Sequence, residues 1–154
     1  MIDTPHITQS AAQRTAVIHL TVPLAEMQRV MGPGIEELFG AVAAQGIQVT
    51  GPWFTHHHRL PTDTFDFDIC VPVSAAVQPS GRVRPGELRA TQVARTVYTG
   101  GYEGLGAAWG ELMGWIEREK LQPAADLWEC YVAGPESGPD SSQYRTELNR
   151  PLLA

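Results

Sequence analysis

Apolar residues recur with helical spacing in two stretches of the chain, 32–46 and 102–120. They occupy steps of three and four residues, which is the pattern of one buried helix face. These residues are Ile35, Leu38, Phe39 and Val42 in the first stretch, and Leu105, Trp109, Leu112, Met113 and Ile116 in the second. Pro33 suits the first turn of a helix and Gly46 its end. The spacing therefore predicts helices over approximately 33–45 and 104–120.

Six other stretches are rich in aromatic and branched residues and are bounded by turn residues, which predicts strands. With the helices, they give the order β-α-β-β twice, over about 14–73 and about 88–152, separated by a Pro-, Gly- and Ser-rich connector at 74–87. A lone unit could not cover its sheet, so two pseudo-twofold-related units are expected to share one core with a cleft between them. The predicted fold is α+β, with an antiparallel sheet and two main helices in one domain, 1–154. The predicted strands cover 14–22, 52–58, 64–73, 91–100, 127–134 and 144–152.

Short sequence similarities align the two halves. The segment "AAQGIQ" precedes the first strand pair as "EREKLQ" precedes the second. This alignment matches Trp53 with Trp128, so we expect the two tryptophans at equivalent positions of the repeat.

A glutamate lies within the apolar strand of "LWECYVAGPES", which closes on Gly134-Pro135. Alternation places Leu127, Glu129 and Tyr131 on one face and Trp128 and Cys130 on the other. Because both faces carry apolar residues, the pattern disfavours the alternative, an edge strand with Glu129 in water. A buried carboxylate without a partner is costly. We therefore expect a partner for Glu129 and a pKa raised by burial.

Composition narrows the class of protein. The chain has 154 residues, of which 43% are hydrophobic and 18% charged, with a formal net charge of −6. An acidic chain without a Lys/Arg run is not expected to bind nucleic acid directly. No apolar stretch approaches the roughly 20 residues of a membrane span, and the N-terminus lacks signal-peptide features. We expect a cytoplasmic protein without membrane association, in which Cys70 and Cys130 are free, buried thiols.

Three possible sites of catalytic or cofactor chemistry are not supported. Alternation places His56 and His58 on one face and His57 on the other, so the three imidazoles should not converge on a transition metal. The glycines of "GGYEGLG" do not fit G-x-G-x-x-G, and no G-x-S-x-G motif is present. We therefore expect no metal at His56–His58 and no cofactor.

Several blocks in order resemble the GyrI-like small-molecule-binding domain, which also forms the effector-binding part of several bacterial transcription regulators. They are "DFDICVPV" with the glycine-bearing connector after it, "TGGYEGLGAAWGELMGWI", "LWECYVAGP" and "YRTELNRPL". The resemblance spans roughly 13–152. It implies that Glu129 forms the floor of a ligand cleft and that Tyr144 lies near it. It also implies that Tyr102 opens the second helix where the family has a glycine–aromatic pattern.

Further aromatic walls are expected from Trp109 on that helix and from Trp53 and Phe65 in the first half, although plain core packing is the alternative for each. A carboxylate beneath aromatic walls favours a flat, hydrophobic and cationic ligand. The leading hypothesis is a stand-alone binder of small amphipathic or aromatic xenobiotics, since the residues before Gln13 leave no room for a helix-turn-helix.

Two alternatives remain open, and both come from the family resemblance. One is a hydrolase that opens the cyclopropane of DNA-alkylating natural products, with Glu129 orienting water. The other is a topoisomerase-inhibitor-like protein that acts through a separate protein partner. The sequence also leaves the oligomeric state and the identity of the ligand open.

Overall fold

In the part of the chain that the structure describes, eight antiparallel strands form one continuous sheet, and two α-helices pack on one of its faces. The computed structural model describes residues 2–60, 62–134, 138 and 140–153, so Pro61 and Pro135, both expected in turns, lie outside the described residues. The α+β class predicted from the sequence is confirmed. The strands are β1 His6–Gln9, β2 Gln13–Pro23, β3 Phe54–His57, β4 Thr64–Pro72, β5 Arg84–Leu88, β6 Gln92–Thr99, β7 Leu127–Ala133 and β8 Arg145–Pro151, and the helices are α1 Met27–Ala44 and α2 Leu105–Arg118.

The strand order, β1-β6-β8-β7-β3-β4-β2-β5, contains the pseudo-twofold arrangement expected from the repeat. The first half contributes β2, β4 and β3, the second contributes β6, β8 and β7, and β3 pairs with β7 at the centre. The strand that leads into each half pairs with the other half: β1 pairs with β6, and β5 pairs with β2. This exchange ties the two halves together at both edges of the sheet.

Helix α1 begins six residues before the predicted start, which corrects the placement of Pro33. Pro33 lies inside the helix and not in its first turn, although proline lacks the N–H that an interior position normally donates. Apolar packing supplies the reason. Met27, Val30 and Met31 pack against the buried cluster beneath α1, and this burial extends the helix towards its N-terminus. The predicted end, near Gln45, agrees with the observed end at Ala44.

Helix α2 agrees closely with the prediction. It buries Ala108, Leu112 and Ile116 against β6 and β8, and a single 3-10 turn, Tyr102–Gly104, precedes it. None of the described helices is long and apolar enough to cross a membrane.

The prediction that Trp53 and Trp128 occupy equivalent positions of the repeat is wrong, because the alignment of the two halves is shifted by one residue. Trp53 borders a cavity on the helix-bearing face. Trp128 is 2% exposed and belongs to a separate buried cluster with Phe54 and Cys70. Because side chains alternate along a strand, a shift of one residue places the two tryptophans on opposite faces of the sheet. Cys70 and Cys130 are free thiols; Cys70 is buried, as expected, whereas Cys130 is only half-buried.

Gly100 is the glycine whose conformation the turn before α2 requires. Its φ is 142°, and a Cβ there would lie 2.7 Å from the Tyr98 hydroxyl oxygen. That hydroxyl donates a hydrogen bond to the Gly101 carbonyl over 2.8 Å. We therefore expect Gly100→Ala to lower the free energy of unfolding by about 1–3 kcal/mol, the usual cost of a strained backbone, as measured by urea denaturation.

Gly110 provides the matched control for this substitution. It lies on the exposed side of α2, and none of the described residues packs within 4 Å of the position that a Cβ would occupy. Gly110→Ala should raise the free energy of unfolding by about 1 kcal/mol because alanine is the better helix former. Equal effects of the two substitutions would contradict the assigned turn geometry.

Candidate functional site

A cavity of about 780 Å³ lies between the two helices and the central strands β3 and β7. Its volume is in the range of small-molecule binding sites, about 300–1,000 Å³. Both halves of the repeat contribute to its wall, so the cavity occupies the junction expected from the pseudo-twofold arrangement. The lining residues are Met27, Met31, Ile35, Trp53, His57, Leu60, Phe65, Tyr102, Leu105, Gly106, Trp109, Leu127, Glu129 and Tyr131.

Five of the six residues that the sequence placed at the site border this cavity: Glu129, Trp109, Trp53, Phe65 and Tyr102. Tyr144 is not among the lining residues. Its ring packs against that of Tyr102, with 5.2 Å between the ring centroids. The expectation that Tyr144 flanks Glu129 is corrected accordingly, because Tyr144 precedes β8 and packs against Tyr102, a wall residue.

Tyr131 is a site residue that sequence reasoning did not single out. Its ring stacks on Trp53 at 4.2 Å between centroids. Its hydroxyl lies 3.4 Å from Glu129 Oε1 and 2.7 Å from Thr55 Oγ1. The signal was available, since strand alternation already placed Tyr131 on the face of Glu129. Met27 and Met31 were missed for a different reason, because they precede the predicted start of the helix.

Glu129 is buried, with 8% of its surface exposed. Burial raises its pKa to about 7, while hydrogen bonds from Trp109 and Tyr131 partly offset that rise. Its Oε2 atom has no hydrogen-bond partner among the described residues. A buried polar atom normally has a partner. The carboxylate therefore retains the capacity to accept a hydrogen bond or a positive charge from a molecule in the cavity.

His57 is the nearest basic side chain to the Glu129 carboxylate, but it does not neutralise the negative charge of that group. Its Nε2 atom is 3.9 Å from Glu129 Oε1, close enough for an ion pair if the ring were charged. However, burial lowers the pKa of His57 to about 4, so the imidazole is neutral at neutral pH. Its ring stacks on Phe67 at 5.2 Å between centroids. The ionised site thus carries a negative charge that His57 does not balance.

The neighbouring histidines point away from the cavity, as alternation predicted. On the opposite face of the sheet, His56 Nε2 lies 2.7 Å from Asp126 Oδ2, and His58 Nε2 lies 3.1 Å from Asp68 Oδ2. The imidazole rings of the three consecutive histidines therefore do not point towards one common position.

Comparison with known protein families identifies the architecture. The family described as the GyrI-like small molecule binding domain matches residues 3–152. The chain belongs to this family. A family described as binding small molecules agrees with the cavity found between the two halves of this chain. A search of curated proteins found no match.

Solved structures share the GyrI-like fold with this chain. The EcmrR C-terminal domain is 20% identical, with a TM-score of 0.87 over 97% of each chain. EcmrR in an EcmrR–DNA complex is also 20% identical, with a TM-score of 0.86; the match covers 97% of this chain but only 57% of that one. SAV2435 bound to tetraphenylphosphonium is 13% identical, with a TM-score of 0.65 over 99% of this chain and 95% of that one.

A hydrolase encoded by lin2189 from Listeria innocua also shares the fold. It is 11% identical, with a TM-score of 0.68 over 97% of this chain and 91% of that one. At these identities the similarity establishes the fold alone, and the function must be argued from the residues of the cavity.

Proposed function

We propose that the cavity binds small aromatic cations, with Glu129 as their counter-charge. The observation that carries this proposal is the buried carboxylate, whose Oε2 atom has no partner among the described residues. An ionised carboxylate in such a place is costly without a compensating group. A cationic ligand supplies that group, and His57, the nearest histidine, is neutral.

The walls of the cavity suit the rest of such a ligand. Trp53 and Tyr131 are stacked, and Tyr102 packs edge-on against Tyr131 with 5.9 Å between centroids. Aromatic faces attract cations, most strongly where water is excluded. Met27 and Met31 contribute flexible thioethers from α1, which adapt to ligands of different shape. We infer that the site distinguishes ligands by their charge and aromatic character more strictly than by their detailed shape.

Tetraphenylphosphonium, the compound bound to SAV2435, is the probe for the first test. We expect it to quench tryptophan fluorescence on titration, because Trp53 and Trp109 line the cavity. Glu129→Gln retains the shape of the side chain and removes its charge. It should weaken tetraphenylphosphonium binding by about 1–3 kcal/mol, the cost of losing a contact to a charged group, which is about 5- to 150-fold in Kd.

Two controls separate the effect of charge from that of shape. Tetraphenylborate has the same shape and the opposite charge, so Glu129→Gln should not weaken its binding. Glu111→Gln makes the same change at an exposed position of α2 and should leave both affinities unchanged. If Glu129→Gln and the wild type bind tetraphenylphosphonium equally well, Glu129 is not the counter-charge and the proposal fails.

The pH dependence of binding gives a second readout. The pKa of Glu129 is about 7 in the empty site, so the anionic form that attracts a cation is lost as the pH falls below that value. The affinity for tetraphenylphosphonium should decline towards acid pH by up to tenfold per pH unit. In Glu129→Gln this decline should disappear.

One feature favours the hydrolase alternative as a second candidate. A carboxyl group with a pKa of about 7, hydrogen-bonded by Tyr131, is suited to transferring protons at neutral pH. In hydrolytic ring opening, the oxygen of water bonds to a cyclopropane carbon, one ring bond breaks, and the released electron pair takes up a proton. Mass spectrometry of an incubated cyclopropane-bearing alkylator would show a product heavier by one water, and Glu129→Gln would abolish its formation. Recovery of unchanged compound would leave binding as the function.

A further inference from the structure

A polar cluster lies on the sheet face opposite the cavity. Side chains alternate along β4, so Asp66 and Asp68 face away from Phe65 and Phe67, which lie on the helix-bearing face. His19 of β2 is directly opposite Asp68 in the antiparallel register. His58 follows β3, and its backbone N–H donates to the Asp66 carbonyl over 3.0 Å. Three segments adjacent in the sheet thus bring two imidazoles to one carboxylate.

The geometry of this cluster matches that of a metal-ligand set. His19 Nδ1 is 2.8 Å from Asp68 Oδ1, and His58 Nε2 is 3.1 Å from Asp68 Oδ2. One donor atom from each of the three residues lies within 4.8 Å of the others. Donors about 2.1 Å from a tetrahedral zinc ion are about 3.4 Å apart. The three donors lie within 4.8 Å of one another, so binding an ion requires side-chain rotations that bring them to those distances.

The other ring nitrogen of His19 provides an independent indication. Its Nε2 atom lies 3.1 Å from Asp66 Oδ1. Histidines that bind metals almost always donate their second N–H to a carboxylate or carbonyl, which orients the ring and makes the ligating nitrogen more basic. Asp66 lies within reach of that supporting position, which it shares with Thr21, whose Oγ1 atom is 3.3 Å from the same Nε2 atom, and a second carboxylate also favours binding of a cation.

We propose that His19, His58 and Asp68 form a binding site for a divalent transition-metal ion. Two imidazoles and one carboxylate suit Zn²⁺, Co²⁺ or Ni²⁺ better than Ca²⁺ or Mg²⁺, which prefer oxygen ligands. Three protein donors leave at least one coordination position open. His58 and Asp68 also border a second cavity of about 180 Å³, which gives such an ion access to water or a small ligand.

This site differs from the one that the His56–His58 run suggested and the sequence argued against. His56 is engaged elsewhere, because Asp126 holds it at 2.7 Å and also binds Arg89 through both carboxylate oxygens. His57 faces the other side of the sheet. Only His58 of the run takes part, and its partners are Asp68 on β4, 10 residues further along the chain, and His19 on β2.

The test uses the tag-free full chain titrated with Co²⁺ by visible absorption and with Zn²⁺ by calorimetry. We expect one equivalent to bind, with d–d bands of a low-coordinate N/O site. His19→Ala, His58→Ala and Asp68→Asn should each weaken binding at least tenfold, and Asp66→Asn should weaken it about 10- to 100-fold as the supporting carboxylate. His6→Ala is the matched control, because His6 is an exposed strand histidine at the other edge of the sheet; it should have no effect.

Thermal unfolding tests the folded state directly. An ion that binds only the folded chain should raise Tm of the wild type and of His6→Ala, but not that of His19→Ala. The proposal is overturned if no stoichiometric ion binds, or if His19→Ala and His58→Ala bind it as the wild type does. Tetraphenylphosphonium affinity should be the same in all these variants, so this result is independent of the function proposed for the cavity.

Discussion

Replacing Glu129 with Gln is expected to stabilise the protein by roughly 3 kcal/mol at about pH 8 in the absence of ligand. The pKa of Glu129 rises from 4.5 to about 7 on burial, and each unit of difference between the unfolded and folded states corresponds to about 1.4 kcal/mol. Gln has nearly the same shape and no charge. It therefore avoids the cost of ionising a group in this cavity.

The direction of the effect follows from proton linkage. The folded chain holds the Glu129 proton more tightly than the unfolded chain does, so this group contributes most stability below about pH 4.5. That contribution is lost as the pH rises through about 7. The free energies of unfolding of the wild type and Glu129→Gln should thus be similar near about pH 4. They should diverge progressively up to about pH 8, where Glu129→Gln is the more stable protein.

Urea denaturation across this pH range measures the difference between the two proteins. His57 acts in the opposite direction, since its pKa is lowered from 6.5 to about 4 and its contribution is lost as the pH falls through that interval. It is present in both proteins and so largely cancels in the difference. The exposed control Glu111→Gln should show no such trend. If the difference in free energy of unfolding between the wild type and Glu129→Gln does not change with pH, Glu129 is not buried as a neutral acid.

The second large effect is expected from a pair of tryptophan substitutions. Trp128 is fully enclosed on the face opposite the cavity, and Trp128→Ala should lower the free energy of unfolding by about 3–5 kcal/mol, as for other buried aromatic residues. Trp53 is half-buried at the cavity wall. Trp53→Ala should cost less than half as much stability and weaken tetraphenylphosphonium binding about tenfold, since it removes an aromatic face.

The two measurements should therefore separate these tryptophans, which the repeat in the sequence treats as equivalent. Urea denaturation gives stability, and calorimetry gives affinity without relying on tryptophan fluorescence. Trp128→Phe is the milder variant that remains folded if Trp128→Ala does not, and it should bind tetraphenylphosphonium like the wild type. Loss of affinity in Trp128→Phe together with normal affinity in Trp53→Ala would reverse the assignment of the two faces.

Much of the site could be predicted from local patterns in the sequence. The period of α2 is read from residues three and four apart, and its face follows from backbone geometry alone. The same is true of β7, where alternation grouped Leu127, Glu129 and Tyr131 before any tertiary structure was considered. Elements whose apolar pattern and turn residues agree can be predicted in this way.

Other features could not be predicted because distant segments decide them. Pro33 is a helix-starting residue by local preference, yet the burial of Met27 and Met31 extends α1 past it. The exchange of β1 and β5 between the halves depends on which strand edge is free once the sheet forms. The contact of Tyr144 with Tyr102 likewise depends on how the segment before β8 packs.

The sequence by itself determined the α+β class, the twofold repeat and the presence of a carboxylate on an apolar strand, because these follow from the periodicity and chemistry of neighbouring residues. Only the tertiary structure decided the environment of that carboxylate. A raised pKa of Glu129 was expected from its place on an apolar strand, whereas the neutrality of His57 and the meeting of His19 with Asp68 arise only where separate strands pair. Burial and charge at a site are properties of the groups that surround it, and folding alone brings those groups together.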